Sequence, residues 1–335
     1  MTAGRHAVVT GGAGFIGSHM VDLLLQRGFR VTVIDNLVTG RRDNLAHLAG
    51  RSDWSLHEVD MATLPADSVL FRGAQYVFHF GGRGDIVPSI ERPVDYMRAN
   101  VDGTLAVLEA SRHHGVRKVV YAASSSCYGA NPPVPTREDA PIKTEYPYAL
   151  SKYLGELTAL HWAGVYRMPV ISIRMFNVYG PRARTSGVYG AVFGVFLAQK
   201  LKRQPLTVVG DGTQSRDFVF VTDVARAFLM AAESDLSGEV FNLGAGNPQP
   251  VNRLVELIGG NEGEVVHLPK RPGEPDCTWA DTAKITRMLD WTPQVSFEDG
   301  VAQMLGQIDY WASAPVWTPA SIEAATKTWF EYLTK

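Results

Sequence analysis

"VVTGGAGFIGSHM", running from Val8 to Met20, sets Gly11, Gly14 and Gly17 between a β-branched apolar run and an amphipathic helical pattern. Glycine permits a tight turn and lets the backbone approach a pyrophosphate closely. A helix opening in such a turn, here through Phe15 and Ile16, presents free N–H groups and the positive end of its dipole to the phosphates. The next strand, "RVTVIDN", ends in Asp35 and Asn36, about 20 residues on, where a ribose-binding acid belongs. Asp35 would accept bonds from both ribose hydroxyls and repel a 2′-phosphate, so NAD is expected over NADP. Arg41 and Arg42 are the features that favour NADP instead, or are loop cations near the adenosine. Asp60, followed by Met61, is placed to meet the adenine edge, and reads equally well as a plain strand-end acid.

Outward from this turn the first half alternates strand and helix. "WSLHEVD", "YVFHFGG", "KVVYAAS" and "PVISIRMFN" read as strands; "VDGTLAVLEASRHHG" and "YALSKYLGELTALHWAGVYR" read as helices between them. Apolar strands interleaved with helices predict a doubly wound α/β fold, a parallel sheet covered on both faces. After Asn177 the rhythm breaks into loops and short elements. The expected division is a Rossmann cofactor domain over 1–177 and 217–246, and a smaller, loop-rich α/β substrate region over 178–216 and 247–335. The segment "ASIEAATKTWFEYL" near the C-terminus reads as a helix with an aromatic stripe, packed against the body.

The 335 residues are 45% hydrophobic and 20% charged with a net charge of −2, an ordinary globular composition without a basic stripe. Neither nucleic acid nor an anionic membrane surface is suggested as a partner. Cys127 and Cys277 give no zinc spacing and no disulfide framework, so no metal is expected and a reducing compartment fits. The N-terminal stretch lacks an apolar core of signal-peptide length, and no apolar run reaches the ~18 residues of a bilayer span. The expected location is the cytoplasm.

"YPYALSKYLGE" holds Tyr148 and Lys152 at i and i+4, on one helical face. A free tyrosine, with a pKa near ~10, is a poor base at neutral pH. A fixed ammonium beside it, with the positive nicotinamide, favours the phenolate and makes proton transfer possible. Upstream, "SSSCYG" ends a strand in three serines, Ser124, Ser125 and Ser126.

In this order, "TGGAGFIGSHM", "DNLVTGRRDN", "SSSCYG", "YALSK", "RMFNVYGPR", "GDGTQSRDFVFVTDVA" and "RPGEPDCTWAD" resemble the extended short-chain dehydrogenase/reductases. The sequence is most similar, within them, to the NAD-dependent nucleotide-sugar 4-epimerases of the UDP-glucose and UDP-N-acetylglucosamine type. The resemblance implies Tyr148 as base, Lys152 as its partner and Ser124 as the residue bonding the sugar 4-hydroxyl. It implies cofactor contacts from Phe80, Gly81, Gly82, Asn100 and Phe176. It implies substrate contacts from Ser125, Ser126, Asn177, Tyr189 and Thr278, with Arg216 and Arg271 on the diphosphate. Two guanidiniums suit that task through bidentate bonds. The implied reaction inverts C4 of a nucleotide-diphosphate sugar through a transient 4-keto intermediate. Arg83 has no role in this reading.

Related enzymes set limits. The 4,6-dehydratases carry Asp-Glu directly after the serine or threonine, and the decarboxylases a Glu at the second position. Ser125 and Ser126 stand there instead, and a hydroxyl cannot act as that acid. A 2-epimerase uses much the same apparatus and stays open, as does a non-catalytic NAD-binding regulator. Cys127 reads as a small buried residue. Thr278 stands where a bulky aromatic would exclude N-acetylated sugars, so the pocket is expected to admit an N-acetylhexosamine as well as a hexose. The two long helices carry apolar residues on more than one face, and the family pairs such helices across a two-fold; a homodimer is expected.

Overall fold

The glycine turn leads from the centre of a seven-stranded sheet. The computed structural model describes residues 4–183, 192–259 and 265–334. Strands β1 (His6–Thr10), β2 (Arg30–Asp35), β3 (Trp54–Glu58), β4 (Tyr76–His79), β5 (Lys118–Ser124) and β6 (Val170–Met175) are joined late in the chain by β11 (Glu239–Leu243). They stand in the order β11-β6-β5-β4-β1-β2-β3. Every pairing is parallel. The order reverses at β1, so the crevice for a ligand opens over the carboxyl ends of β1 and β4. This is the doubly wound α/β fold expected.

Alternation along the strands divides the core. Ala7, Val9, Val31, Val33, Val120, Ile171 and Phe241 face one side, with α1 (Phe15–Gln26) and α7 (Val221–Glu233) packed over them. Val8, Ile34, Val77, Val119 and Val170 face the other, toward α4 (Gly103–His113) and α5 (Pro147–Tyr166). Two short helices, α2 (Ile86–Glu91) and α3 (Pro93–Met97), precede α4. Between α3 and α4 the helix widens into a π turn over Arg98–Asp102, whose last two residues open the stretch read as helix in the sequence.

Three two-stranded ribbons lie outside the sheet. They are β7 (Asn177–Tyr179) with β10 (Phe218–Phe220), β8 (Leu206–Val209) with β13 (Val265–Leu268), and β9 (Ser215–Arg216) with β12 (Gln249–Pro250). With α6 (Val192–Leu201), α8 (Val251–Gly259) and α10 (Phe297–Leu305) they enclose a second aromatic-rich core around Tyr179, Phe193, Phe218, Phe220 and Phe297. α9 (Ala283–Leu289) sends Ile285 and Leu289, with Trp291, into the core beside α7 and the sheet. The chain ends in α11 (Pro319–Leu333). Among the described residues, no helix is long and apolar enough to cross a membrane, and no group of His, Cys, Asp and Glu could hold a metal ion.

Candidate active site

A cleft of about 360 Å³ opens over the carboxyl ends of β1, β2 and β4. Gly11, Gly14, Phe15, Ile16, Gly17, Asp35, Asn36, Asp60, Met61, Phe80, Gly81 and Gly82 line it, and Tyr148 and Lys152 stand in its wall. The geometry fits a dinucleotide on three counts. Gly11 has φ +67°, and a Cβ there would sit 2.7 Å from the Gly81 nitrogen, so the turns after β1 and β4 touch as bare backbone. Gly14 caps α1 without a side-chain bond, leaving the first amides of that helix to a ligand. Asp35 is held at the end of β2 by the amides of Ala13 (3.0 Å) and Leu37 (2.8 Å). Burial raises its carboxyl pKa and those two bonds oppose the rise.

Three of the expected cofactor residues, Asn100, Phe176 and Asp60, are held by the protein's own groups. Asn100 lies in the π turn, 1% exposed, and does not line the cleft. Its Oδ1 accepts from the Arg83 amide at 2.7 Å, and its Nδ2 donates to the Arg83 carbonyl at 3.0 Å and Ser151 Oγ at 2.8 Å. It thus ties the loop after β4 to α5. Phe176 is buried with Cys127, Tyr128 and Ala280. Asp60 caps a short 3₁₀ turn through the Ala62 amide and also meets Arg98 at 3.4 Å. Of the cations weighed for NADP, Arg41 lines the cleft with its guanidinium over the Tyr310 ring, and Arg42 is paired with Glu58. Arg83, without a role in the sequence, pairs with Asp95 at 3.0 Å.

The serine turn meets α5 at the inner end of the cleft. Tyr148 Oη lies 3.3 Å from Ser124 Oγ, and Ser126 reaches the same oxygen through its hydroxyl (2.8 Å) and its amide (3.2 Å). Ser126 therefore orients Ser124. Lys152 is 7% exposed and its ammonium stands 4.6 Å over the Tyr121 ring. The phenolate is expected from Lys152 together with a positive nicotinamide, and the protein's own groups do not lower Tyr148 by themselves. Burial dominates both, raising the phenol against the Ser124 bond and lowering the ammonium to about 8 against the pull of Glu156. A buried site disfavours whichever form is charged, so the phenolate needs positive charge from a ligand. Burial also pushes the Cys127 thiol up to about 12, which suits the small buried residue expected there.

On the substrate side, Thr278 Oγ1 donates to Asn177 Oδ1 at 2.7 Å and accepts from the Asp217 amide at 3.0 Å. Arg216 and Arg271 converge on Glu274: Arg216 Nη2 meets Oε1 at 3.0 Å, and Arg271 Nε meets Oε2 at 2.8 Å. Ser125 makes the first residue of the 3₁₀ turn that follows β5. Tyr189 lies outside the described residues.

The model of the NAD dependent epimerase/dehydratase family matches residues 7–244 of this chain. The chain belongs to that family. A UDP-glucose 4-epimerase of Mycolicibacterium smegmatis is 35% identical over 302 residues, 88% of this chain and 96% of that one. Among solved structures, the UDP-glucose 4-epimerase of Thermotoga maritima with UDP-glucose superposes with a TM-score of 0.84 at 33% identity, over 92% of this chain and 99% of that one. The UDP-N-acetylglucosamine 4-epimerase of Methanobrevibacter ruminantium, in complex with UDP-N-acetylmuramic acid, gives 0.84 at 30% identity, over 90% and 99%. A UDP-N-acetyl-glucosaminuronate decarboxylase and a dTDP-glucose 4,6-dehydratase are also among the similar proteins. NAD is accordingly the cofactor of this epimerase-family chain.

Sequence reasoning missed several residues of this family member's site. Arg182, Asn44 and Met175 line the cleft. Arg182 stood in the quoted "YGPR" and now pairs with Asp22 at 2.7 Å. Glu274 stood in "RPGE", but its meeting with two arginines depends on folding two distant segments together.

Proposed function

We propose that the protein inverts C4 of a UDP-linked hexose or N-acetylhexosamine. The observation that carries the reading is the 3.3 Å approach of Tyr148 Oη to Ser124 Oγ at the inner end of a dinucleotide cleft, with Lys152 one turn along the same helix. Bound NAD supplies the hydride acceptor and donor and a positive ring that favours the phenolate. Ser124 bonds and orients the 4-hydroxyl, and Tyr148 takes its proton and returns it to the same oxygen once the keto sugar has turned its other face to the hydride donor. Lys152 keeps positive charge beside that proton transfer. Arg216 and Arg271 hold the diphosphate while the keto sugar turns over about its phosphate linkage. Ser125 and Ser126 offer no carboxyl group to expel water, which supports inversion over dehydration.

The small Thr278 side chain supports admission of the N-acetyl group. The two-part division into cofactor and substrate regions follows the same separation of tasks. Outward-facing Leu105, Leu157 and Val165 on α4 and α5 support a homodimer. Free Cys127 and Cys277 support a cytoplasmic setting.

The test is a panel of UDP-, GDP-, CDP- and dTDP-sugars followed by NMR. UDP-glucose and UDP-N-acetylglucosamine should each yield the C4 epimer. Release of water or carbon dioxide would replace the reading with a lyase, and turnover of UDP-glucose alone would remove the N-acetyl part.

A further inference from the structure

Helix α11 lies beyond the stretch that the family model matches. Its start is fixed by Pro319 in the first turn and by a reciprocal capping box between Thr318 and Ser321. Just before it, the Trp317 carbonyl accepts from the buried Gln199 side chain at 2.8 Å. Ile322, Thr326 and Trp329 recur at i, i+4 and i+7, and these are the buried residues of the helix. Among the described residues, Ile322 and Trp329 belong to none of the four hydrophobic clusters. The buried face is spent on a crossing instead. Thr328 Oγ1 meets Glu91 Oε1 on α2 at 3.1 Å, and α2 follows the loop that lines the cofactor cleft. From there the helix reaches the substrate side. The Trp329 indole N–H donates to the Pro272 carbonyl at 2.6 Å, and the Arg271 guanidinium lies 5.1 Å over the Trp329 ring. The other edge of that guanidinium bonds Glu274, which also holds Arg216.

We propose that Trp329 is a positioning residue for binding of the substrate diphosphate. It holds Pro272 and the Arg271 guanidinium at the place where Arg271 and Arg216 converge. A guanidinium stacked on a fixed ring has lost its rotameric freedom before the ligand arrives, so less binding energy goes into ordering it. The indole N–H fixes the backbone of the same loop from outside it. The C-terminal helix thereby completes the substrate side of the site. The inference rests on reading Arg271 as a diphosphate ligand.

The experiment titrates NAD-loaded protein with uridine diphosphate and, separately, with uridine, by calorimetry. Trp329→Ala should weaken uridine diphosphate by about tenfold and leave uridine within about twofold. Bound NAD should be unchanged, and in turnover KM should rise by the same factor with kcat nearly constant. Trp329→Leu keeps volume in the contact while removing the flat ring and the N–H; it should behave alike and serves where the alanine variant does not fold. Unchanged affinity for uridine diphosphate overturns the inference. So does equal loss of both ligands, which marks a general loosening, and so does a parent protein that binds no uridine diphosphate. A parent whose uridine diphosphate binding depends on Trp329, yet which epimerises no nucleotide sugar, upholds the positioning role and removes the C4 reading alone.

Discussion

Lys152 carries its charge at a cost, since it is 7% exposed and rests over the Tyr121 ring rather than on a carboxylate. Its pKa falls from the ordinary lysine range to about 8. Between about pH 8 and the unfolded value of about 10.4, the native chain binds fewer protons than the unfolded one, so stability rises with pH across that window. Below it, lysine is charged in both states and the full cost of burial remains. Lys152→Met, freed of nucleotide, should therefore unfold later than the parent at about pH 7, by up to about 3 kcal/mol, and the gap should close toward about pH 10. Thermal melts at the two pH values read this directly; a gap independent of pH would show that the ammonium is not desolvated. The same scale shows what residue types alone convey. Asn177 and Thr278 were each expected on the substrate for separate reasons, and their 2.7 Å hydrogen bond makes them one unit.

At the scale of elements, α5 carries most of the chemistry on one stripe. Tyr148, Ser151, Lys152 and Glu156 follow one another along the face that meets the serine turn, the π turn and β6. The Tyr–Lys spacing is legible because catalysis needs it within one helical turn. Glu156 is not legible, because its partner is on a strand. There it is 1% exposed and bidentate with Arg174, whose Nη1 continues at 2.7 Å to Tyr128 of the turn carrying Ser124. This ion pair pins the catalytic helix to β6 and to the serine turn. Removing one charge leaves the other buried and unpaired, so Glu156→Gln should lose about 3–5 kcal/mol in denaturant unfolding, and Glu156→Gln with Arg174→Met should recover part of it. Additive losses in the double variant would deny the pairing its part in stability.

For the whole molecule, the outer surface of α4 and α5 leaves Leu105 39%, Leu157 44% and Val165 57% exposed, on the side of the helices away from the sheet. Such a stripe suits a two-fold partner, since each helix pair can bury the stripe of the other. Sedimentation should give a dimer at micromolar concentration, and Leu157→Glu should give a monomer that keeps its NAD; a monomeric parent would end that expectation. The sequence by itself determined the α/β winding, the glycine turn, Asp35 at the end of β2 and the Tyr148–Lys152 pair. Each of these is a local pattern, set by the two-residue period of strands, the 3.6-residue period of helices and the backbone freedom of glycine. Only the tertiary structure decided which charged groups meet. Arg216 and Arg271 share Glu274, Asn100 braces the Arg83 loop, Arg174 locks Glu156, and α11 crosses from α2, through Thr328, to Arg271, through Trp329. Apart from Arg271 and Glu274, which are three residues apart, these contacts join residues from separate segments of the chain. Burial in the folded interior shifts Tyr148 up and Lys152 down, so the phenolate expected from their spacing depends on the cofactor's positive charge as well.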